Sequence, residues 1–112
     1  MRKQRIRIRK SLLKSYHLRR RESKKDKEGG SLVSYEDAIT IEAAIWAAGG
    51  RVQAEMYGER LTYIKNMNYE GTETMQEGDG ICVYAGPEEL PDYKIIAINN
   101  DFSPAQITLE RI

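Results

Sequence analysis

The chain has 112 residues and a mass of 12.9 kDa, 40% of them apolar and 31% charged, enough for one modest core and too few for two. No run nears the roughly 18 apolar residues that cross a bilayer, and none follows the basic start, so neither a spanning helix nor a secretory signal is expected; one cysteine and one histidine exclude an internal disulfide framework and leave metal and acid–base clusters poorly supplied. The net charge of +1 hides a division: residues 1–30 hold 13 basic and 3 acidic residues, a balance of +10, and residues 31–112 hold 5 and 14, a balance of −9, so the basic half is suited to an acidic surface, its own or a neighbour's, or to nucleic acid.

In chain order, Arg5-Ile6-Arg7-Ile8-Arg9 alternates strictly and reads as an extended strand, isoleucines on one side and guanidinium groups on the other. Residues 11–18 fit a helical turn or a strand equally. Residues 19–30 contain no apolar side chain and end in Gly29-Gly30, which predicts a solvated linker and places the start of the compact body near Ser31. The predicted division is thus a basic arm and linker over 1–30 and a β domain over 31–112.

Within that domain Ile39, Ile41, Ala43 and Ile45 share one face of a strand, and Ala47 to Gly50 turns the chain. Val52, Ala54 and Met56 alternate with Gln53, Glu55 and Tyr57 and predict a second strand. Residues 61–69 are ambiguous, since Leu61, Ile64 and Met67 sit three apart. Gly78-Asp79-Gly80 predicts a hairpin turn, and Ile81 to Ala85 a short strand. Gly86 to Asp92 reads as a loop, because its prolines cannot serve a central ladder. Tyr93 to Ile98 is nearly continuous in apolar residues, as expected of a strand buried on both faces. Ile107 and Leu109 close the chain with a last strand. Five or six short strands set off by turn residues predict an all-β fold, a small antiparallel barrel or sandwich, with Ile41, Ile45, Val52, Val83, Ile95, Ile96 and Leu109 in its core and Trp46 expected there too.

The chemistry these residues offer is sparse. No phosphate-cradling glycine motif is present. Cys82 would need a histidine base to act as a nucleophile, and His17 lies in the predicted arm, so Cys82 reads as a small buried hydrophobe. Acidic pairs such as Glu88-Glu89 and Glu55 with Glu59 read as solvated or interface charge. The basic arm, with Tyr16 to stack on a base, supports nucleic-acid contact without sequence specificity. Tyrosine and tryptophan outnumber phenylalanine eight to one, a bias suited to surfaces half buried and half wet.

A family emerges from the order of several segments over residues 24–112. They are Ile41-Glu42-Ala43-Ala44-Ile45-Trp46, Gln53-Ala54-Glu55-Met56-Tyr57-Gly58, Glu77-Gly78-Asp79-Gly80, Tyr93-Lys94-Ile95-Ile96 and the terminal Leu109-Glu110-Arg111-Ile112. This succession resembles the head-closure and head–tail adaptor proteins of tailed bacteriophages and prophages. The resemblance implies a structural subunit of the virion, made in the bacterial cytoplasm, that forms a homo-oligomeric ring at the head–tail junction. The portal or an adaptor ring would lie above it and a tail-side protein below, with the DNA channel running through. It implies no catalysis, cofactor or metal, and no membrane. Such proteins often carry a long channel-closing loop, whose place here is taken by residues 59–80; Tyr57, Gly58, Arg60, Tyr63 and Asn66 are then expected to contact a neighbouring ring or line the channel. The basic arm is a departure from the family pattern. Its Arg5, Arg7, Arg9, Arg19, Arg20 and Arg21 are expected to dock on an acidic partner surface, and non-specific DNA contact in the channel is a further expectation. The alternative is a small β-barrel that binds nucleic acid through the arm.

Overall fold

The computed structural model describes residues 8–25, 31–101 and 104–112. Among them the strands are β1 (Lys14–Arg19), β2 (Arg21–Lys25), β3 (Ser31–Tyr35), β4 (Ile39–Ala47), β5 (Ile64–Tyr69), β6 (Gly80–Cys82), β7 (Tyr93–Asn99) and β8 (Ala105–Arg111), with one short helix, α1 (Arg51–Tyr57), and 3-10 turns at Lys10–Leu12 and Gly58–Tyr63. Six strands close an antiparallel barrel in the cyclic order β1-β4-β5-β8-β7-β6, and β2 and β3 form a separate two-stranded sheet. The expectation of a small all-β barrel holds.

The boundary near Ser31 does not. β1 is a barrel strand, antiparallel to β4 from Lys14–Ala43 to Leu18–Ile39 and to β6 from His17–Cys82 to Arg19–Gly80. Leu18 is fully buried beside Ile41, Ile81, Ile95 and Leu109, and burial on that scale stabilises by about 2 kcal/mol per large aliphatic side chain. Of the predicted linker, Arg19 ends β1 and Arg21–Lys25 is β2, which pairs with β3 from Arg21–Tyr35 to Lys25–Ser31, while residues 26–30 lie outside the described residues. A stretch without apolar residues is held here by main-chain ladder bonds, which an apolar pattern does not register.

Three further readings are corrected by packing. Residues 51–57 are helix, not strand, because β4 and β5 pair directly, Trp46 opposite Asn66, and leave no place in the sheet for an intervening strand. The helix ends at Gly58, whose φ of 53° is a conformation that side chains disfavour. Val52 is consequently not a core residue, at 71% exposure, and Trp46 is 45% exposed. β7 is not buried on both faces: Tyr93 and Ile95 face the core, Lys94 is exposed, and a bulge between Ile95 and Ala97 resets the register against β8. Of the other predicted core residues, Ile41, Ile95 and Leu109 are buried, Ile45 and Val83 pack against the core while partly exposed, and Ile96 is intermediate.

The turn at Gly78-Asp79-Gly80 forms, with the Asp79 N–H donating to the Gln76 carbonyl at 3.1 Å. It is not a hairpin turn, since it leads into β6, whose partners are β1 and β7. Asp79 is the buried polar residue of the described structure, at 6% exposure. Its Oδ1 accepts the Arg21 N–H and its Oδ2 the Gln76 N–H, both at 2.9 Å. At Gly80 the backbone passes so close to Pro91 that a Cβ would fall 2.4 Å from its Cγ and 3.2 Å from Tyr35 Cε1. Gly80→Ala is therefore expected to cost about 2 kcal/mol through displacement of a rigid ring. Gly49→Ala, where a Cβ meets nothing within 4 Å, serves as the neutral control in urea denaturation. Equal midpoints for the two variants would refute the assignment of this close approach.

Candidate functional site

Arg5 and Arg7 lie outside the described residues, as does most of the predicted Arg5–Arg9 strand; Ile8 and Arg9 are irregular. Arg9 is exposed and lines an apolar groove of about 520 Å3 with Leu12, Ala44, Ile45 and Trp46. The next three arginines do not form a free docking set. Arg19 donates from Nε to the Glu36 carbonyl at 2.9 Å and from its terminal nitrogens to the Glu89 and Tyr35 carbonyls at 2.9 and 3.4 Å. Arg20 bridges Glu73 at 2.9 Å and donates to the Thr74 carbonyl. Arg21 gives its backbone N–H to Asp79 and keeps its side chain at the surface. Two cations assigned to a partner are thus engaged by carbonyls and a carboxylate of their own body, the self-docking side of the charge division.

The predicted loop residues divide as well. Within the predicted 59–80 loop, only residues 70–79 are irregular, because residues 59–63 belong to a 3-10 turn and Ile64–Tyr69 is β5, in register with β4 and β8. Asn66 is therefore a mid-sheet residue. Its side-chain amide exchanges two hydrogen bonds with Gln53, at 2.7 and 3.1 Å, and Gln53 also accepts the Gly49 N–H. This amide pair ties α1 to the barrel. Arg60 lies 5.9 Å from the Tyr57 ring centroid and donates from Nε to Glu110 at 2.8 Å, so it too is held by its own chain. Gly58 forms the helix end, and Tyr63 stands 50% exposed at the end of the turn.

The barrel brings His17 and Cys82 together, against the expectation that a linker would separate them: they are direct cross-strand partners. They do not form an activated pair. The thiol is 2% exposed, and burial, then Asp92, pushes its pKa up, with only Arg19 pulling the other way. A nucleophilic cysteine needs the opposite shift. Asp92 itself accepts the N–H groups of Val83 and Tyr84 at 2.8 and 2.9 Å, which pins the β6–β7 loop. No group of three or more metal-ligating side chains occurs among the described residues, and no helix among them is long and apolar enough to cross a membrane.

Sequence reasoning missed the part played by Lys65. Its ammonium sits 5.4 Å from the Tyr84 ring centroid and 5.9 Å from that of Tyr93, two cation–π contacts at one end of the barrel. Burial and then Tyr84 raise the Tyr16 pKa, which Lys65 opposes. It also missed that α1, with no buried residue, presents Val52 and Met56 outward, and that Leu90 stands 74% exposed on the β6–β7 loop. A seven-residue amphipathic segment satisfies strand and helix periods alike, so no sequence signal separated these positions from core.

Comparison with models of protein families, with curated proteins and with solved structures finds no match for this chain.

Proposed function

We propose that this protein is a structural connector subunit of a tailed bacteriophage or prophage, one copy in a ring beneath the portal that closes the head or joins it to the tail while continuing the DNA channel. The reading rests on the segment order over residues 24–112 and on one structural observation. The barrel interior is filled by side chains such as Leu18, Met67, Ile95 and Leu109, while Trp46, Val52, Met56, Tyr63, Tyr84 and Leu90 are left large, apolar and exposed. Exposed apolar side chains that gather in patches are characteristic of contact with other proteins, and Val52 and Met56 on α1, like Leu90 and Ile112 at one groove, are gathered in this way. The alternative, nucleic-acid binding through the basic residues 1–30, is weakened by the engagement of Arg19 and Arg20 within the fold.

The test is to mix the purified chain with purified portal rings and, separately, with a duplex oligonucleotide, and to follow both by native gel and mass photometry. Association with the portal or with a tail-side component is the expected outcome. Failure to bind any such component, together with a salt-sensitive shift of the DNA, would replace this reading with the alternative.

A further inference from the structure

The outer wall of the barrel carries a shelf of amide and hydroxyl groups, with the chain's one tryptophan at its edge. Side chains along a strand alternate between the two faces of a sheet. Met67 and Ile107 belong to the core, so Asn66, Asn68, Gln106 and Thr108 point outward. Asn66 lies opposite Trp46 on β4 and Thr108 on β8; Asn68 lies opposite Ala44 and Gln106. Three strands and one side-chain repeat give a shelf about 10 Å wide and about 7 Å long. Gln53 of α1, bonded to Asn66, forms its wall. Together Trp46, Gln53, Asn66, Asn68, Gln106 and Thr108 line a cleft of about 340 Å3, a size suited to a small ligand.

Three properties of this cleft define what fits it. No charged side chain among the described residues lines it, although 31% of the chain is charged, so it offers nothing to phosphate or carboxylate. Its polar groups are amides and a hydroxyl, which both donate and accept. The Gln53–Asn66 pair uses one N–H of each amide, and each has two. Asn68 goes further: its Oδ1 is buried with no hydrogen-bond partner, an unmet acceptor of the kind that folded proteins rarely keep. Finally, Trp46 is 45% exposed and presents a flat apolar ring with an N–H at its rim. A sugar ring has matching parts, an apolar C–H face and adjacent hydroxyls that donate and accept side by side.

We propose that this cleft binds a neutral saccharide, one ring lying against Trp46 and its hydroxyls shared among Asn66, Asn68, Gln106 and Thr108. A hydroxyl entering the cleft gives Asn68 the donor its oxygen lacks once the amide turns toward it. The site lies on the outer wall and does not depend on the ring reading above. It is tested by titrating the full chain with cellobiose, maltose and N,N′-diacetylchitobiose. Emission of the single tryptophan is expected to change saturably with at least one of them, and saturation-transfer NMR to show the same sugar in contact. Gln106→Ala, at an exposed position, should weaken binding about tenfold, the loss of roughly one hydrogen bond, and Trp46→Ala should abolish the transfer. Asn68→Leu should lose the sugar while keeping or raising the urea midpoint, which separates a binding role from a structural one. Absence of a saturable response to all three sugars would overturn the proposal, as would binding unchanged in both Gln106→Ala and Trp46→Ala. Displacement of the sugar by a tighter-binding neutral peptide, acetyl-dialanine amide, would also overturn it and assign the cleft to extended peptide.

Discussion

Deletion of residues 1–30 is expected to abolish folding, while deletion of residues 1–7 leaves the barrel intact. The larger deletion removes β1, which pairs with β4 at five positions and with β6 at three, and so opens the ring of strands at its seam. It also takes away Leu18, fully buried in the core, and the Arg19 and Arg20 contacts that hold the hairpin and the loop at Glu73–Thr74. β6, three residues long, would keep a single partner. The loss exceeds the whole stability of a domain this size, about 5–15 kcal/mol. The shorter deletion removes none of the described strands and should shift stability by less than about 1 kcal/mol. Amide chemical-shift dispersion and a cooperative urea transition distinguish the outcomes. A fragment spanning 31–112 that retained both would contradict the assignment of β1 to the barrel. A DNA-binding assay on that fragment would report unfolding, not the loss of cationic side chains.

Asp79→Ala is expected to cost about 3 kcal/mol, because it takes a charged acceptor away from two part-buried backbone donors, at Arg21 and Gln76. For a domain of this size the melting temperature should fall on the order of 10–20 °C. Asp79→Asn retains one carbonyl acceptor and should fall between wild type and the alanine variant. An exposed acid such as Glu88 replaced by alanine should stay within about 0.5 kcal/mol. Thermal unfolding followed by circular dichroism measures all three. An Asp79→Ala protein as stable as the Glu88→Ala protein would mean that these bonds do not anchor the hairpin to the barrel.

The fold class was legible because most barrel strands carry their inward residues at period two, as with Ile41 and Ala43 or Ile107 and Leu109. β1 and the hairpin were not. Their stability resides in pairing with segments distant in sequence and in guanidinium-to-carbonyl bonds, and neither leaves a local apolar signature. Val52, Ala54 and Met56 misled for a related reason: seven residues between Gly50 and Gly58 suit both periods, and only the direct pairing of β4 with β5 decides between them. The candidate surface was the least legible part. Arg19, Arg20 and Arg60 look in sequence like free cations, and only the folded geometry shows the acceptors they already hold.

Arg19 joins two parts of the surface that are far apart in sequence. Its guanidinium grips the carbonyls of Tyr35 and Glu36, where the β2–β3 hairpin rejoins the chain, and that of Glu89 beside Leu90. The base of the hairpin and the rim that bears Leu90 are therefore joined through one planar group. One side chain is thus a shared fastening for the base of the hairpin and for the rim.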